Sequence, residues 1–214
     1  MFGELLRSWY DAADYDPSTG SWNAKPGLSA AALAQPTFSK RPRKTTGNAM
    51  FGGLPTVDAD GRDDELSASA ALLAMKPNTL GILSRWPGGP ANYLVGQYAT
   101  TSYQFYRWDG PTEQMYADPN FKGGGYASAE IGGVHLWVFS KSGLACSVYR
   151  DGELLGTRDM ASFSGSPTIF SLFSGNGAGF TAAEVAELFT VDRAISQVEA
   201  RGLTEYFRNK GYPL

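Results

Sequence analysis

Five acidic residues, Asp58, Asp60, Asp63, Asp64 and Glu65, fall within eight positions of this 214-residue chain. Carboxylate oxygens at that density suit calcium, which takes roughly six to eight oxygen ligands. Asp58, Asp60, Asp63 and Asp64 are therefore the candidate ligands for Ca2+. The stretch is no EF-hand, because Gly61 stands in the wrong place and no Glu closes the loop at its twelfth position. The plainer reading is a polar turn that caps two strands. Asp11, Asp14 and Asp16 form a second acidic group with the same plain reading.

His135 is the only histidine and Cys146 the only cysteine. A catalytic triad needs a histidine with its partners, and a zinc site needs clustered histidines and cysteines. One of each makes neither. His135 is expected to be a hydrogen-bonded packing residue at a strand start, and Cys146 a buried apolar one. A single cysteine rules out an intrachain disulfide. The glycines at 123–125 and 175–179 lack a strand–turn–helix setting, so they read as turns and not phosphate cradles.

Aromatic residues crowd one predicted hairpin: Tyr93 and Tyr98 on one arm, Tyr103, Phe105, Tyr106 and Trp108 on the other, with Trp86 upstream. Along the second arm Tyr103, Phe105 and Arg107 alternate with Gln104, Tyr106 and Trp108. A sandwich buries one of those faces. The other would offer rings and polar groups to solvent, which is the chemistry sugars prefer. The candidate glycan contacts are Trp86, Tyr93, Tyr98, Tyr103, Gln104, Tyr106, Arg107 and Trp108. The competing reading places these rings in the core between sheets or between subunits.

The elements that would carry these residues are mostly strands. In 134–157 apolar residues recur with a period of two, at Val134, Leu136 and Val138 and again at Leu144, Cys146 and Val148. That period marks a strand with one buried face. Lys141-Ser142-Gly143 and Asp151-Gly152 are hairpin turns, so the segment is an antiparallel meander. Further strands are predicted at 4–10, 55–59, 78–86, 92–98, 102–108, 112–117, 167–173 and 179–189. Leu66–Met75 is open between helix, which its Ala and Leu favour, and strand, which its place among the ordered motifs below favours. Residues 11–44 contain four X-Pro steps and read as a long loop covering one end of the body. Ser196–Asn209 is the one helix. Ser196 and Glu199 form its capping box, Val198, Leu203, Tyr206 and Phe207 line its packing face, and Gly211 ends it.

Composition agrees with an all-β body: 26 Gly, 12 Pro and 13% aromatic residues. One domain spanning 1–214 is expected. The net charge of -3 leaves the Lys40–Lys44 run as the only basic patch, which argues against a nucleic-acid partner. No apolar run reaches the length of a membrane span, and the N-terminus lacks a signal-peptide pattern.

Four motifs in order carry a resemblance. They are LRSWYDAAD at 6–14, LPTVDADGRDDEL at 54–66, a WVF strand followed by SVYRDGELLGT at 137–157, and the strand and helix of 178–207. The sequence resembles concanavalin A-like and laminin-G-like jelly rolls over nearly its whole length. The resemblance implies a β-sandwich with a short C-terminal helix. It also implies a place among free-standing domains of tailed-bacteriophage virion proteins, such as capsid decoration, head-fibre or tail receptor-binding proteins. The implied partners are other virion proteins, cell-surface polysaccharide and further copies of the chain. The implied location is the virion surface, after synthesis in the host cytoplasm. Glycanases of the family place two carboxylates on one strand as E-x-D-x-x-E or E-x-D-x-E. This sequence has no such motif, so a non-enzymatic protein is expected. The alternatives are a soluble bacterial carbohydrate-binding module and a glycan hydrolase with an atypical site.

Overall fold

The computed structural model describes residues 6–25, 31–69, 78–89, 93–98, 103–109, 114–116, 132–159, 169–175 and 177–214. For 97–98, 103–109 and 114–116 it describes the backbone alone. Besides three single-turn 3-10 helices, the described residues contain sixteen strands and one α-helix. They are β1 (Leu6–Asp11), β2 (Tyr15–Asp16), β3 (Ser21–Trp22), β4 (Leu33–Ala34), β5 (Arg43–Asn48), β6 (Leu54–Asp60), β7 (Leu66–Ala68), β8 (Asn78–Arg85), β9 (Tyr93–Tyr98), β10 (Tyr103–Asp109), β11 (Gln114–Tyr116), β12 (Val134–Ser142), β13 (Ala145–Arg150), β14 (Glu153–Asp159), β15 (Ile169–Leu172), β16 (Ala182–Val191) and α1 (Gln197–Lys210).

The strands form two antiparallel sheets. The first runs β14-β13-β12-β8-β16-β6-β5, with β1 pairing the second half of β16. The second runs β11-β10-β9-β15-β7-β4-β3-β2. Leu80, Ile82, Trp137, Phe139, Val148, Val185 and Leu188 of the first sheet meet Trp22, Leu33, Leu66, Val95, Phe170 and Leu172 of the second in one buried core. The expected two-layer sandwich is the fold.

The meander is present with two differences. β12 runs on through Lys141 and Ser142, so its turn is Gly143-Leu144, and Leu144 is exposed in that turn and not on the buried face. The β13–β14 turn is tight: Asp151 has φ 52° and Gly152 φ 85°, the left-handed region that hairpin turns of this type require. Its closeness to α1 adds a second demand for glycine, since a Cβ at position 152 would lie 2.9 Å from Arg201 Cα.

Three further expectations are corrected, and one reading left open is settled. First, β12 is buried on both faces, not one. Trp137 and Phe139 enter the inter-sheet core, while Val134, Leu136 and Val138 join a second cluster with Leu203 and Phe207 of α1. The helix lies on the outer side of the first sheet and covers that face. Second, residues 11–44 are not simply a covering loop. Tyr15, Trp22 and Leu33 are fully or almost fully buried, and their apolar area pulls three two-residue strands onto the edge of the second sheet. Third, Leu66–Ala68 is strand, so tertiary pairing with β15 overrides local helix propensity; residues 70–77 lie outside the described residues. Fourth, only half of the expected helix face is buried. Leu203 and Phe207 pack inward, but Val198 and Tyr206 are exposed. Val198 stands five residues before Leu203, about 140° around the helix, so the two cannot share a face. The capping box of Ser196 with Glu199 and the left-handed Gly211 stop are both present. No helix among the described residues is long and apolar enough to cross a membrane.

Candidate functional site

The acidic turn follows β6. Asp60, Asp63 and Asp64 each bring one carboxylate oxygen within 4.8 Å of the others, so three of the four candidate cation ligands are assembled. Asp58 is not with them. It shares Asp60's face of β6, but β5 engages it there: its Oδ2 accepts a hydrogen bond from Thr45 Oγ1 at 2.5 Å and faces Arg43 at 3.7 Å. Asp60 Oδ1 accepts from Arg62 N, and Asp64 Oδ2 accepts from Asp60 N, both at 2.8 Å. Asp63 and the second oxygens of its neighbours fit a hard cation that prefers oxygen donors.

Asp64 is largely buried. Burial, with the charges of Asp60 and Asp63, pushes its carboxyl up to about 6, against the pull of the Asp60 amide and Arg43. A raised carboxyl binds its proton more tightly in the folded chain than in the unfolded one. Stability therefore falls as pH rises from the ordinary carboxylate range to about 6, and then levels. In buffer with chelator, Asp64→Asn is expected to raise the melting temperature by roughly 2–4 °C at pH 8 and to have little effect at pH 4. A stabilisation of equal size at both pH values would show that charge at position 64 is not the cause.

The aromatic hairpin exists as β9 and β10, with β11 beside them. Register divides its candidates. Gly96 and Tyr98 stand opposite Ser171 and Ile169 of β15, whereas Val95 and Gln97 stand opposite the core residues Leu172 and Phe170. Across the next pair, Tyr103 is opposite Tyr98 and Phe105 opposite Gly96, while Gln104 and Tyr106 fall in the rows of Gln97 and Val95. A register shift between Tyr106 and Arg107 then brings Arg107 opposite Tyr93. Tyr103 and Gln104 thus belong to different rows, and Trp108 pairs with Met115 on β11. Trp86 was expected on the solvent side but is only 3% exposed, and it packs in the inter-sheet core. It follows β8, whose core-facing positions run into the sandwich. Tyr93 is half-buried, and its amide donates to Gly179 O at 3.1 Å.

His135 is a packing residue, as expected. Its Nδ1 lies 2.6 Å from Asp151 Oδ2, and its ring meets Trp137 edge-on at 5.9 Å. Asp151 Oδ1 also accepts from Leu136 N at 2.8 Å, so this carboxylate staples the β13–β14 turn to β12. Ser84 stands opposite His135 across the β8–β12 pair, which places serine, histidine and aspartate in sequence across the sheet. Ser84 Oγ is fully buried and has no hydrogen-bond partner. Ser84 therefore does not make the serine–histidine bond that a triad requires. Burial pushes the Cys146 thiol up to about 12, which makes it inert.

Sequence reasoning passed over one exposed ring. Phe38 is 78% exposed, on a short turn ahead of β5. The available signal was a lone aromatic residue between Pro36 and Pro42 in a polar, basic stretch.

An antiparallel two-sheet body with a turn-borne acidic cluster and a covering C-terminal helix defines a jelly-roll type β-sandwich. Solved structures share that architecture. The chain is similar over 93% of its length to Trypanosoma rangeli sialidase in complex with the inhibitor DANA, with a TM-score of 0.66 and 15% identity, covering 32% of that protein. It is similar over 94% of its length to the binding domain of botulinum neurotoxin serotype G, with a TM-score of 0.59 and 10% identity, covering 51% of that chain. The binding domain of Paraclostridial Mosquitocidal Protein 1 gives a TM-score of 0.55 at 12% identity, with 98% of this chain and 54% of that one covered. The chain thus spans a third to a half of these neighbours, and the likeness is one of fold. No protein-family model and no curated relative matches the sequence.

Proposed function

We propose that this chain is a non-enzymatic carbohydrate-binding β-sandwich that acts at a virion surface. One observation carries the binding part of the reading. Almost the whole chain superposes on binding domains of toxins, among them that of botulinum neurotoxin DC in complex with SialylT, at a TM-score of 0.52 and 8% identity. The virion setting rests on the four ordered motifs of the sequence. The lack of a paired-carboxylate strand motif supports recognition over turnover.

The test is a glycan array probed with the full chain, followed by calorimetry on any sugar retained. Affinities in the micromolar to millimolar range are expected, with the sugar recovered intact. No retained glycan would overturn the binding reading, and a cleaved one would overturn the non-enzymatic reading. Purified particles that lack the chain would favour a soluble bacterial module.

Calcium at the acidic turn belongs to the same proposal, with Asp60, Asp63 and Asp64 as its carboxylate ligands. Millimolar Ca2+ is expected to raise the melting temperature at pH 7.5 by a few degrees, and Asp63→Asn to abolish that rise. An unchanged melting temperature in Ca2+ would remove the metal from the reading.

A further inference from the structure

We infer that the Phe38 ring is the sugar platform of this domain and that its ligand is an acidic pyranose; the inference rests on the carbohydrate-binding reading above. Phe38 is the most exposed large apolar side chain among the described residues. Its exposure is built in. Arg41 anchors the turn from below, donating from Nε to Gln35 O at 2.9 Å, from Nη1 to Ser18 O at 2.5 Å and from Nη2 to Pro36 O at 2.9 Å. Thr37 N donates to Gln35 Oε1 at 3.0 Å, and Glu65 N donates to Lys40 O at 3.2 Å. The Arg41 guanidinium also lies over the Phe38 ring, 5.5 Å from its centroid. A guanidinium committed to three carbonyls is a fixed support, so one ring face is backed and the other is left open. Little conformational entropy remains to be lost when a ligand stacks on that open face.

The surroundings define the ligand. Lys40 is exposed two residues away, and the Arg43 side chain is 80% exposed at the start of β5. Asp60 and Asp63 stand on the neighbouring turn, which the Glu65–Lys40 hydrogen bond holds against this one. Cations and carboxylates therefore stand on the two hydrogen-bonded segments that carry and adjoin Phe38. A polyhydroxylated ring uses both kinds, stacking its C–H face on Phe38 while its hydroxyls meet carboxylates. Its own carboxylate or sulfate meets Lys40 and Arg43. An anionic bilayer would need several apolar side chains and a clear excess of cations. Among the described residues the Phe38 turn offers one exposed ring beside side chains of both charges.

The experiment compares the full chain with Phe38→Ala, Phe38→Trp and Lys40→Gln on acidic and neutral oligosaccharides of matched length. Because Phe38 is exposed, Phe38→Ala is expected to melt at the wild-type temperature. It should lose affinity for the acidic sugar by about ten-fold or more, and Phe38→Trp should restore it. Lys40→Gln should weaken the acidic sugar alone. Unchanged affinity in Phe38→Ala, with wild-type glycan binding intact, would overturn this inference and leave the carbohydrate-binding reading standing. If the wild-type chain binds no glycan, both fail. Sugar-free vesicles of anionic phospholipid bound by the wild type and not by Phe38→Ala would assign the ring to a membrane surface and overturn the inference.

Discussion

Replacing Gly81 with alanine will lower the melting temperature by roughly 5–10 °C. Gly81 lies in the middle of β8 and stands opposite Phe189 of β16. The Phe189 ring occupies the space where a side chain at 81 would go. A Cβ built there falls 2.0 Å from Phe189 Cζ and 2.3 Å from Cε1. Phe189 cannot swing away cheaply, because its ring stacks on Phe207 at 6.0 Å and meets Trp9 at 5.8 Å. It is also buried in the cluster beneath α1. The methyl group must displace the ring, and the ring must displace the helix. Overpacking of this kind costs about 1–3 kcal/mol in well-packed cores, and a contact through a rigid ring belongs at the upper end. Phe189→Leu in the same chain should recover part of the loss, since it removes the clashing atoms, and the double-mutant cycle measures that coupling. A melting temperature within 2 °C of wild type in Gly81→Ala would show that the outer cluster yields more easily than its packing implies.

Gly81 also shows where the sequence stops being legible. The meander, the hairpin of β9 and β10 and the capped helix were readable because each is written in local periodicity and turn chemistry. The burial of both faces of β12 was not. Val134, Leu136 and Val138 announce one apolar face, but Trp137 and Phe139 lie between them, and only the position of α1 shows that both sets are covered. The same gap explains the helix face. Val198, Leu203, Tyr206 and Phe207 all looked like core by hydrophobicity, yet the sheet accepts only Leu203 and Phe207 of them. The strands of residues 15–34 are too short for a period to register, and Tyr15 and Trp22 reveal their burial only through the sheet they join. Among the site candidates, the acidic turn was legible as a cluster. Pairing of β6 with β5 then explains why Asp58 leaves it, since Thr45 and Arg43 engage its carboxylate. Trp86 was misplaced because an aromatic count cannot tell a platform from a core. Phe38 was overlooked because a lone ring carries no pattern.

A larger loss is expected from Lys210→Met. Glu187 is fully buried in the outer layer of the first sheet, and its carboxylate collects donors from both ends of the chain. Trp9 Nε1 of β1 donates to Oε2 at 2.6 Å, and Tyr212 OH, beyond α1, donates to Oε1 at 2.8 Å. Lys210 Nζ, in the last turn of α1, bridges Glu187 Oε1 and Asp11 Oδ2, the latter at 2.8 Å. The network ties β1, β16, the helix and the C-terminal residues together. Removing the ammonium leaves a buried charge with two neutral donors, a change that costs about 3 kcal/mol or more and roughly 6–12 °C in melting temperature. The pH dependence separates this cause from lost packing. Burial already holds the Glu187 carboxyl above its ordinary value, against the pull of Lys210. Without Lys210 it rises further, so the folded variant takes up a proton at a pH where the unfolded chain has none. Stability of the variant therefore increases as pH falls, and its deficit against wild type should be widest at pH 8 and clearly narrower at pH 5. Glu187→Gln should lose less than Lys210→Met at pH 8, because the neutral amide keeps an acceptor for Trp9 without burying a charge. A deficit of the same size at both pH values would show that the uncompensated Glu187 charge is not its cause.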